Sequence, residues 1–84
     1  MNELQINELN ITEGQKEFIP GWVEETRRQV WSIRKDKEGL VYVSLLKTDG
    51  ELSVHRFTKA GYWDGDFESE KVDLTKFEVL YKKE

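Results

Sequence analysis

Alternating hydrophobic and polar residues predict three strands in the middle of the chain. Residues 29–35, 40–48 and 51–58 are rich in Val, Ile, Leu and aromatic side chains, a composition typical of strands. Residues 36–39 end in a glycine and predict a turn. Asp49-Gly50 is the dipeptide most typical of a two-residue hairpin turn. The centre of the chain is therefore predicted to be an antiparallel meander.

The predicted turn at Asp49-Gly50 sets the register of the second hairpin. It would place Leu45 opposite Val54 and Tyr42 opposite Phe57. One face would be aliphatic and belong to the core, formed by Val41, Val43, Leu45, Leu52 and Val54. The other face would be formed by Tyr42, Leu46, His55 and Phe57. His55 is interpreted as a half-exposed strand residue, and its face as a binding surface or a thin packing layer.

The N-terminal segment carries weaker signals. In residues 3–12 the apolar side chains form two pairs, each with a spacing of two but out of phase with one another. This favours a strand with a bulge over the alternative, a short amphipathic helix. Residues 13–21 are predicted to be a loop, because Pro20-Gly21 is a strong turn signal and a proline favours an extended residue before it.

The C-terminal part supports two interpretations. Residues 59–71 combine glycines and carboxylates with aromatic side chains, and predict a long loop or a loose hairpin. Residues 73–83 fit a helix that begins with a capping box at Thr75 and Glu78, and they also fit a strand because large apolar residues alternate with others. The helix has more supporting signals. The predicted fold is α+β, an antiparallel β-sheet of three to four strands followed by one C-terminal helix, in a single domain spanning residues 1–84.

Composition limits the class of protein. The chain has 84 residues, one proline and no cysteine, which is typical of one small domain in a reducing compartment. A domain of this size buries only about 60–65% of its unfolded surface, which favours a homodimer as a source of stability. The sequence contains no signal-peptide pattern and no run of about 20 apolar residues. We therefore expect a cytoplasmic protein that does not cross a membrane.

Catalytic chemistry has little support in the sequence. His55 is the only histidine, and without cysteine it cannot form part of a His/Cys metal cluster. The serines lie outside any nucleophile-elbow motif, and no glycine-rich phosphate loop is present. The alternating Asp and Glu residues of 64–70 lack the glycine and terminal glutamate of a calcium-binding loop. We expect no enzyme activity, no cofactor and no metal.

Charge is distributed unevenly along the chain. The formal net charge is −4, yet residues 26–60 hold eight Lys and Arg against four Asp and Glu. Residues 1–25 hold six Glu against one Lys, and residues 61–84 hold seven Asp and Glu against four Lys. A basic centre between acidic ends bears on the partners of a protein rather than on its fold.

Aromatic and basic side chains are interleaved in the basic centre. A surface that binds single-stranded nucleic acid stacks rings on bases and holds phosphates with arginine and lysine. The predicted nucleic-acid-binding residues are Trp22, Arg27, Arg28, Trp31, Arg34, Lys35 and Tyr42. In the alternative interpretation the tryptophans are core residues and the arginines are ordinary surface charges. The first function hypothesis is a non-catalytic protein that binds single-stranded nucleic acid.

An acidic segment supports a second hypothesis of a different class. It consists of Trp63, Asp64, Asp66, Glu68 and Glu70. Tryptophan is among the residues that dominate protein–protein contacts, so this segment would be the contact surface. On this hypothesis the chain is a small acidic protein, of the kind that phages produce, and it inhibits or regulates a protein partner such as a nucleic-acid enzyme.

Two short resemblances accompany these hypotheses. Gly21-Trp22, followed by Val30-Trp31 and then by Val72-Asp73-Leu74-Thr75, resembles the single-stranded DNA-binding domain of the transcriptional positive cofactor four family. That resemblance implies a curved four-stranded sheet, a C-terminal helix and a homodimer that binds DNA on its strands. Residues 74–81, LTKFEVLY, are similar to a helix of a small phage inhibitor of uracil-DNA glycosylase. That resemblance implies a protein that occupies the DNA site of an enzyme.

Overall fold

The computed structural model describes residues 5–83, which form a five-stranded antiparallel sheet and one α-helix. The helix, α1 (Glu13–Thr26), precedes all of the strands. The strands are β1 (Val30–Lys35), β2 (Val41–Leu46), β3 (Leu52–Phe57), β4 (Trp63–Glu68) and β5 (Glu78–Lys82). Their order across the sheet is β4-β3-β2-β1-β5, so β4 and β5 are the two edges. Short 3-10 turns occur at Ile6–Glu8, Ser69–Lys71 and Leu74–Lys76.

The predicted order of three to four strands followed by a C-terminal helix is wrong. Residues 78–82 pair with the free edge of β1, with Tyr81 opposite Ile33. Alternating Phe, Val and Tyr suit that pleated edge. The predicted capping box does not form, because the backbone N–H of Thr75 donates to Asp73 and only a single 3-10 turn follows. Pairing with β1 therefore overrides the local helix signals at the C-terminus.

The helix lies where a loop was predicted. Thr12 caps α1 by accepting from the N–H of Gln15, and the Gln15 side chain accepts from the N–H of Thr12, which makes a complete capping box. Pro20 lies inside the helix, where it removes one N–H but has a φ compatible with helical geometry. Gln15 and Ile19 are fully buried one turn apart. Burial of this inner face and the cap stabilise the helix, so the turn that Pro20-Gly21 predicts does not form.

The β2–β3 hairpin is displaced by one residue from the predicted register. Leu46 pairs with Leu52 and Val43 pairs with His55. The turn closes between Lys47 and Glu51 and therefore contains one residue more than predicted, with Gly50 at a φ of +88°. A shift of one residue exchanges the faces of a strand. His55 and Phe57 consequently face the helix, while Leu52 and Val54 face away from it, and His55 is buried rather than half-exposed.

Both faces of the sheet are covered. On the first face α1 packs over a core that includes Ile19, Ile33, Val41, Val43, Leu45 and Phe57. On the second face the connection between β4 and β5 supplies Phe77, whose ring stacks on Tyr42 with centroids 4.5 Å apart. Within residues 5–12 the predicted strand is wrong, since Ile6 begins a 3-10 turn and is buried in the core. Leu4, part of the same prediction, lies outside the described residues.

The buried amide of Gln15 fixes the position of the helix on the sheet. Its side-chain nitrogen donates to the carbonyl of Gly39 at 2.9 Å and to that of Thr58 at 3.0 Å. These carbonyls belong to the β1–β2 and β3–β4 turns. Gln15 has no exposed surface, so water cannot replace the bonds if the amide is removed.

Replacing Gln15 by leucine should lower the free energy of unfolding by about 2–4 kcal/mol, because two partly buried carbonyls and the cap lose their partners. The measurement is a urea unfolding curve. The matched control is Gln29→Leu, at an exposed position, which should change stability by no more than about 0.5 kcal/mol. Equal effects of the two substitutions would show that the Gln15 amide does not hold the helix in place.

Candidate functional site

The N-terminus of α1 touches the β3–β4 turn backbone to backbone. A Cβ at Gly14 would lie 2.2 Å from the carbonyl oxygen of Ala60, and a Cβ at Gly61 would lie 2.2 Å from that of Gly14. Gly61 also has a φ of +96°, which L side chains rarely adopt. The hydroxyl of Thr12 donates to the carbonyl of Lys59 at the same contact. Glycine is therefore required at both positions for the helix to lie this close to the turn.

This contact creates a groove between α1 and β4. Its lining, which we call the aromatic groove, consists of Glu17, Phe18, Gly21, Trp22, Glu25, Phe57, Gly61, Tyr62 and Trp63. Phe18, Tyr62 and Trp63 are 43%, 61% and 55% exposed. The rings of Phe18 and Tyr62 lie 5.4 Å apart, so one wall of the groove is a pair of exposed rings.

Trp22 forms the floor of the groove. Its ring meets Phe57 edge to face, with centroids 4.9 Å apart, and lies at the same distance from the imidazole of His55. Edge-to-face pairs add to the stabilisation that burial of the rings provides. Trp22 is half-buried as a result, and it is anchored in the core while part of it faces the groove.

Asp66 holds Trp63 in place. Its Oδ1 accepts from the indole Nε1 of Trp63 at 2.7 Å and lies 2.6 Å from Nδ1 of His55. Burial raises the pKa of Asp66, but the hydrogen bonds from Trp63 and His55 and the attraction to His55 outweigh it and bring the pKa below its ordinary value of 3.8. The carboxylate is ionised at neutral pH and fixes the orientation of an exposed indole.

His55 lies between a serine and an aspartate, as the histidine of a serine–histidine–aspartate triad does. Ser53 Oγ lies 2.8 Å from His55 Nε2, while Nδ1 faces Asp66. A triad also needs N–H groups that converge on the developing oxyanion. Ser53 lies inside β3 with strands paired on both sides, where N–H groups serve the ladders. The geometry favours a structural role, in which Ser53 and Asp66 satisfy a buried imidazole.

The residues predicted to bind nucleic acid are distributed over both faces of the sheet. Tyr42 is 7% exposed on the face away from the helix, where its hydroxyl donates to Asp36. Burial, the largest effect, raises the pKa of the Tyr42 phenol. Trp22 lies on the opposite face, as the floor of the aromatic groove. The structure therefore does not bring these two rings onto one stacking platform.

The basic residues of the same set also have different environments. Arg34 donates to the carbonyl of Leu74 at 3.0 Å, and Lys35 donates to that of Asn10 at 2.8 Å. Arg27 ends α1 in the left-handed conformation with a φ of 56°, and Arg28 follows it. Both of these arginines are exposed, and Trp31 on β1 is half-buried. Arg27 and Arg28 are thus the members of the set that are presented to solvent.

The acidic set is divided between two environments as well. Trp63 and Asp66 lie on the side of β4 that faces the helix. Asp64 pairs with Arg56 at 3.1 Å, and Arg56 in turn lies over the ring of Phe67. Glu68 and Glu70 are exposed at and beyond the end of β4. Trp63 is therefore the member of this set that lines the aromatic groove.

The part of the groove that the helix supplies was not predicted from the sequence. Phe18, Trp22 and Glu25 follow a spacing of four and three, which places them on one side of a helix. The signal that could have revealed this was the capping box at Thr12 and Gln15, which was not recognised. Once the helix is known, its aromatic side faces Tyr62 and Trp63 of the hairpin.

The chain matches no protein-family model, no curated protein and no solved structure. The two resemblances noted in the sequence therefore stay expectations. Within residues 5–83, no group of three or more His, Asp or Glu residues is placed to hold a metal ion. The helix of that same part of the chain is too short and too polar to cross a membrane.

Asp66→Asn should make the free energy of unfolding depend less on pH in the acid range. Because folding lowers the pKa of Asp66, its carboxylate stabilises the fold above about pH 4, and this contribution is lost as the pH falls through the folded-state pKa. The effect should stay below about 1 kcal/mol because the side chain is 57% exposed. Urea midpoints of wild type and variant, measured from about pH 6 to about pH 2.5, should converge at the acid end.

The control for this experiment is Glu68→Gln, which removes an exposed carboxylate from the same strand. Its midpoints should run parallel to those of the wild type. A difference between wild type and Asp66→Asn that persists unchanged at acid pH would contradict the role of the ionised carboxylate.

Proposed function

We propose that this protein is a non-catalytic binding module that captures a protein partner in the aromatic groove. The observation that carries the proposal is the clustering of exposed rings. Four large hydrophobic side chains are exposed among residues 5–83, and Phe18, Tyr62 and Trp63 meet at this groove, while Val79 lies on β5. Exposed apolar patches rimmed by polar residues are typical of interaction sites.

The chemistry of the rings supports the same function. Tryptophan and tyrosine are over-represented among the residues that dominate binding energy. The bond from Trp63 to Asp66 fixes the indole before a partner arrives, and such preorganisation reduces the entropy lost on binding. Trp22 gives the groove a rigid floor because it is anchored on Phe57.

The charge around the groove favours a basic partner. Glu17 and Glu25 lie on its helix side, and the whole chain carries a formal net charge of −4. An enzyme that acts on nucleic acid is one class of protein with such a basic surface, which makes inhibition or regulation of such an enzyme the proposed biological role. Association with a basic partner should become slower as salt is added.

Trp63→Ala and Phe18→Ala should each weaken partner capture by about tenfold or more, because truncating a central aromatic anchor removes about 1–2 kcal/mol or more of binding energy. The measurement is capture of partners on immobilised protein, quantified by mass spectrometry across the variants. The matched control is Val79→Ala, which shortens an exposed apolar side chain on the far edge strand. Thermal unfolding of each variant checks that the fold is intact.

A partner that is retained equally by wild type and Trp63→Ala would exclude the groove as its binding site. Loss of capture in Val79→Ala alone would move the interface to the edge of β5. Either result would contradict the proposed function as stated.

Binding of single-stranded nucleic acid is the second candidate, and the exposed pair Arg27 and Arg28, close to Trp31 in the sequence, favours it. Fluorescence anisotropy of a labelled single-stranded oligonucleotide discriminates the two candidates. Binding that weakens steeply with salt and is reduced by Arg28→Ala would support nucleic acid, because released counterions make such binding salt-dependent. Absence of binding at low salt would remove this candidate and leave the protein partner.

Cytoplasmic location and a homodimer stay predictions of the proposal. The exposed side chain of Val79 on the edge strand β5 is compatible with a dimer formed by pairing of edges. The aromatic groove lies at the opposite edge, beside β4, and would remain open in such a dimer.

A further inference from the structure

Gly21 is placed where the fold does not need a glycine. It lies inside α1, where glycine destabilises a helix relative to alanine. Its φ is not positive, and a Cβ at this position would meet no heavy atom within 4 Å. Gly14 and Gly61 differ in this respect, since a Cβ at either would collide with backbone. Glycine at position 21 therefore leaves open space on the helix surface, although no packing contact requires a glycine there.

The opening leads into the aromatic groove. Gly21 is one of the lining residues, and Glu17 and Glu25 lie one helical turn before and after it. Residues four apart in a helix are neighbours on its surface, about 5–6 Å apart. The gap is therefore a notch with a carboxylate on either side, and the ring of Trp22 lies next to it in the groove.

The charges of this notch are unbalanced. Neither Glu17 nor Glu25 forms an ion pair with any other residue of the described part of the chain. The lining contains these two carboxylates, five aromatic side chains, and no Lys, Arg or His. Aromatic faces attract cations, and tryptophan attracts them most strongly. A cation that enters the notch would meet attraction from both the rings and the carboxylates.

We propose that the notch at Gly21 receives an arginine side chain of the protein partner. This inference rests on the proposed function and names the group that the groove recognises. A planar guanidinium stacks on an aromatic ring and donates to carboxylates at its edge, whereas an ammonium is a compact and strongly hydrated charge. The open slot between the aromatic wall and Glu17 and Glu25 suits the planar group.

The test uses short peptides as probes and NMR as the readout. The acetylated peptide amide Gly-Leu-Arg-Leu-Gly is titrated into the labelled protein, and so are versions with lysine or citrulline in place of arginine. Citrulline keeps the shape of arginine without its charge. The arginine peptide should shift the indole N–H signals of Trp22 and Trp63 and the amide signal of Gly21. The citrulline and lysine peptides should bind about fivefold or more weakly.

Variants separate the notch from the rest of the groove. Gly21→Leu fills the notch and should abolish the preference for arginine, while the melting temperature stays the same or rises because leucine is the better helix former. Glu17→Gln and Glu25→Gln should each weaken binding of the arginine peptide. The matched control is Glu24→Gln, since Glu24 is exposed on the same helix but lines a different cleft.

Three results would overturn the assignment of arginine: no shift of these signals at millimolar peptide, equal binding of the citrulline peptide, or equal binding of the lysine peptide. Partner capture by the same variants tests the proposed function separately. If partner capture depends on Trp63 but not on Gly21, Glu17 or Glu25, the groove binds a partner through another group. If capture does not depend on Trp63, the proposed function fails as well.

Discussion

The position of α1 on the sheet depends on one buried amide. Gln15 closes the cap of the helix through Thr12 and donates to Gly39 and Thr58, which lie in two different turns. A hydrophobic helix face can rotate or slide over an apolar sheet at little cost, but hydrogen bonds to fixed carbonyls permit a single arrangement. In that arrangement Trp22 packs on β3 and Phe18 on the β3–β4 turn, so the groove follows from a polar contact in an otherwise apolar interface.

The centre of the sheet could be predicted because the sequence signals for its strands and turns are local. Three central strands and their turns follow from alternation and from glycines at positive φ, and their existence is confirmed. The register of the second hairpin was wrong because Asp49-Gly50 also fits a three-residue turn, and the choice between the two depends on packing of both faces. The capping-box pattern of Thr12 and Gln15 recurs near the C-terminus at Thr75 and Glu78. It is effective at Thr12, where a buried helix face follows, and not at Thr75, where the edge of β1 is available for pairing.

The candidate site was harder to predict than the fold because its two walls come from distant parts of the sequence. Trp63 was recognised from its acidic neighbours, and Trp22 from the basic residues that follow it. Neither pattern contains the information that these two side chains share a groove. That information lies in a contact without side chains, between Gly14 and Gly61, which composition and periodicity do not detect. Tyr42, assigned to a surface from its aromatic neighbours, is buried by a connection that only the five-stranded topology explains.

The contact between Gly14 and Gly61 also bears on ancestry. Most positions of a small domain accept several residue types, so overall similarity between related chains fades quickly. A site at which any added carbon atom collides with backbone changes far more slowly. Distant relatives of this chain should therefore be recognisable by a sparse signature: Thr-x-Gly-Gln at the start of a helix and, after a meander of three strands, a glycine followed by two aromatic residues.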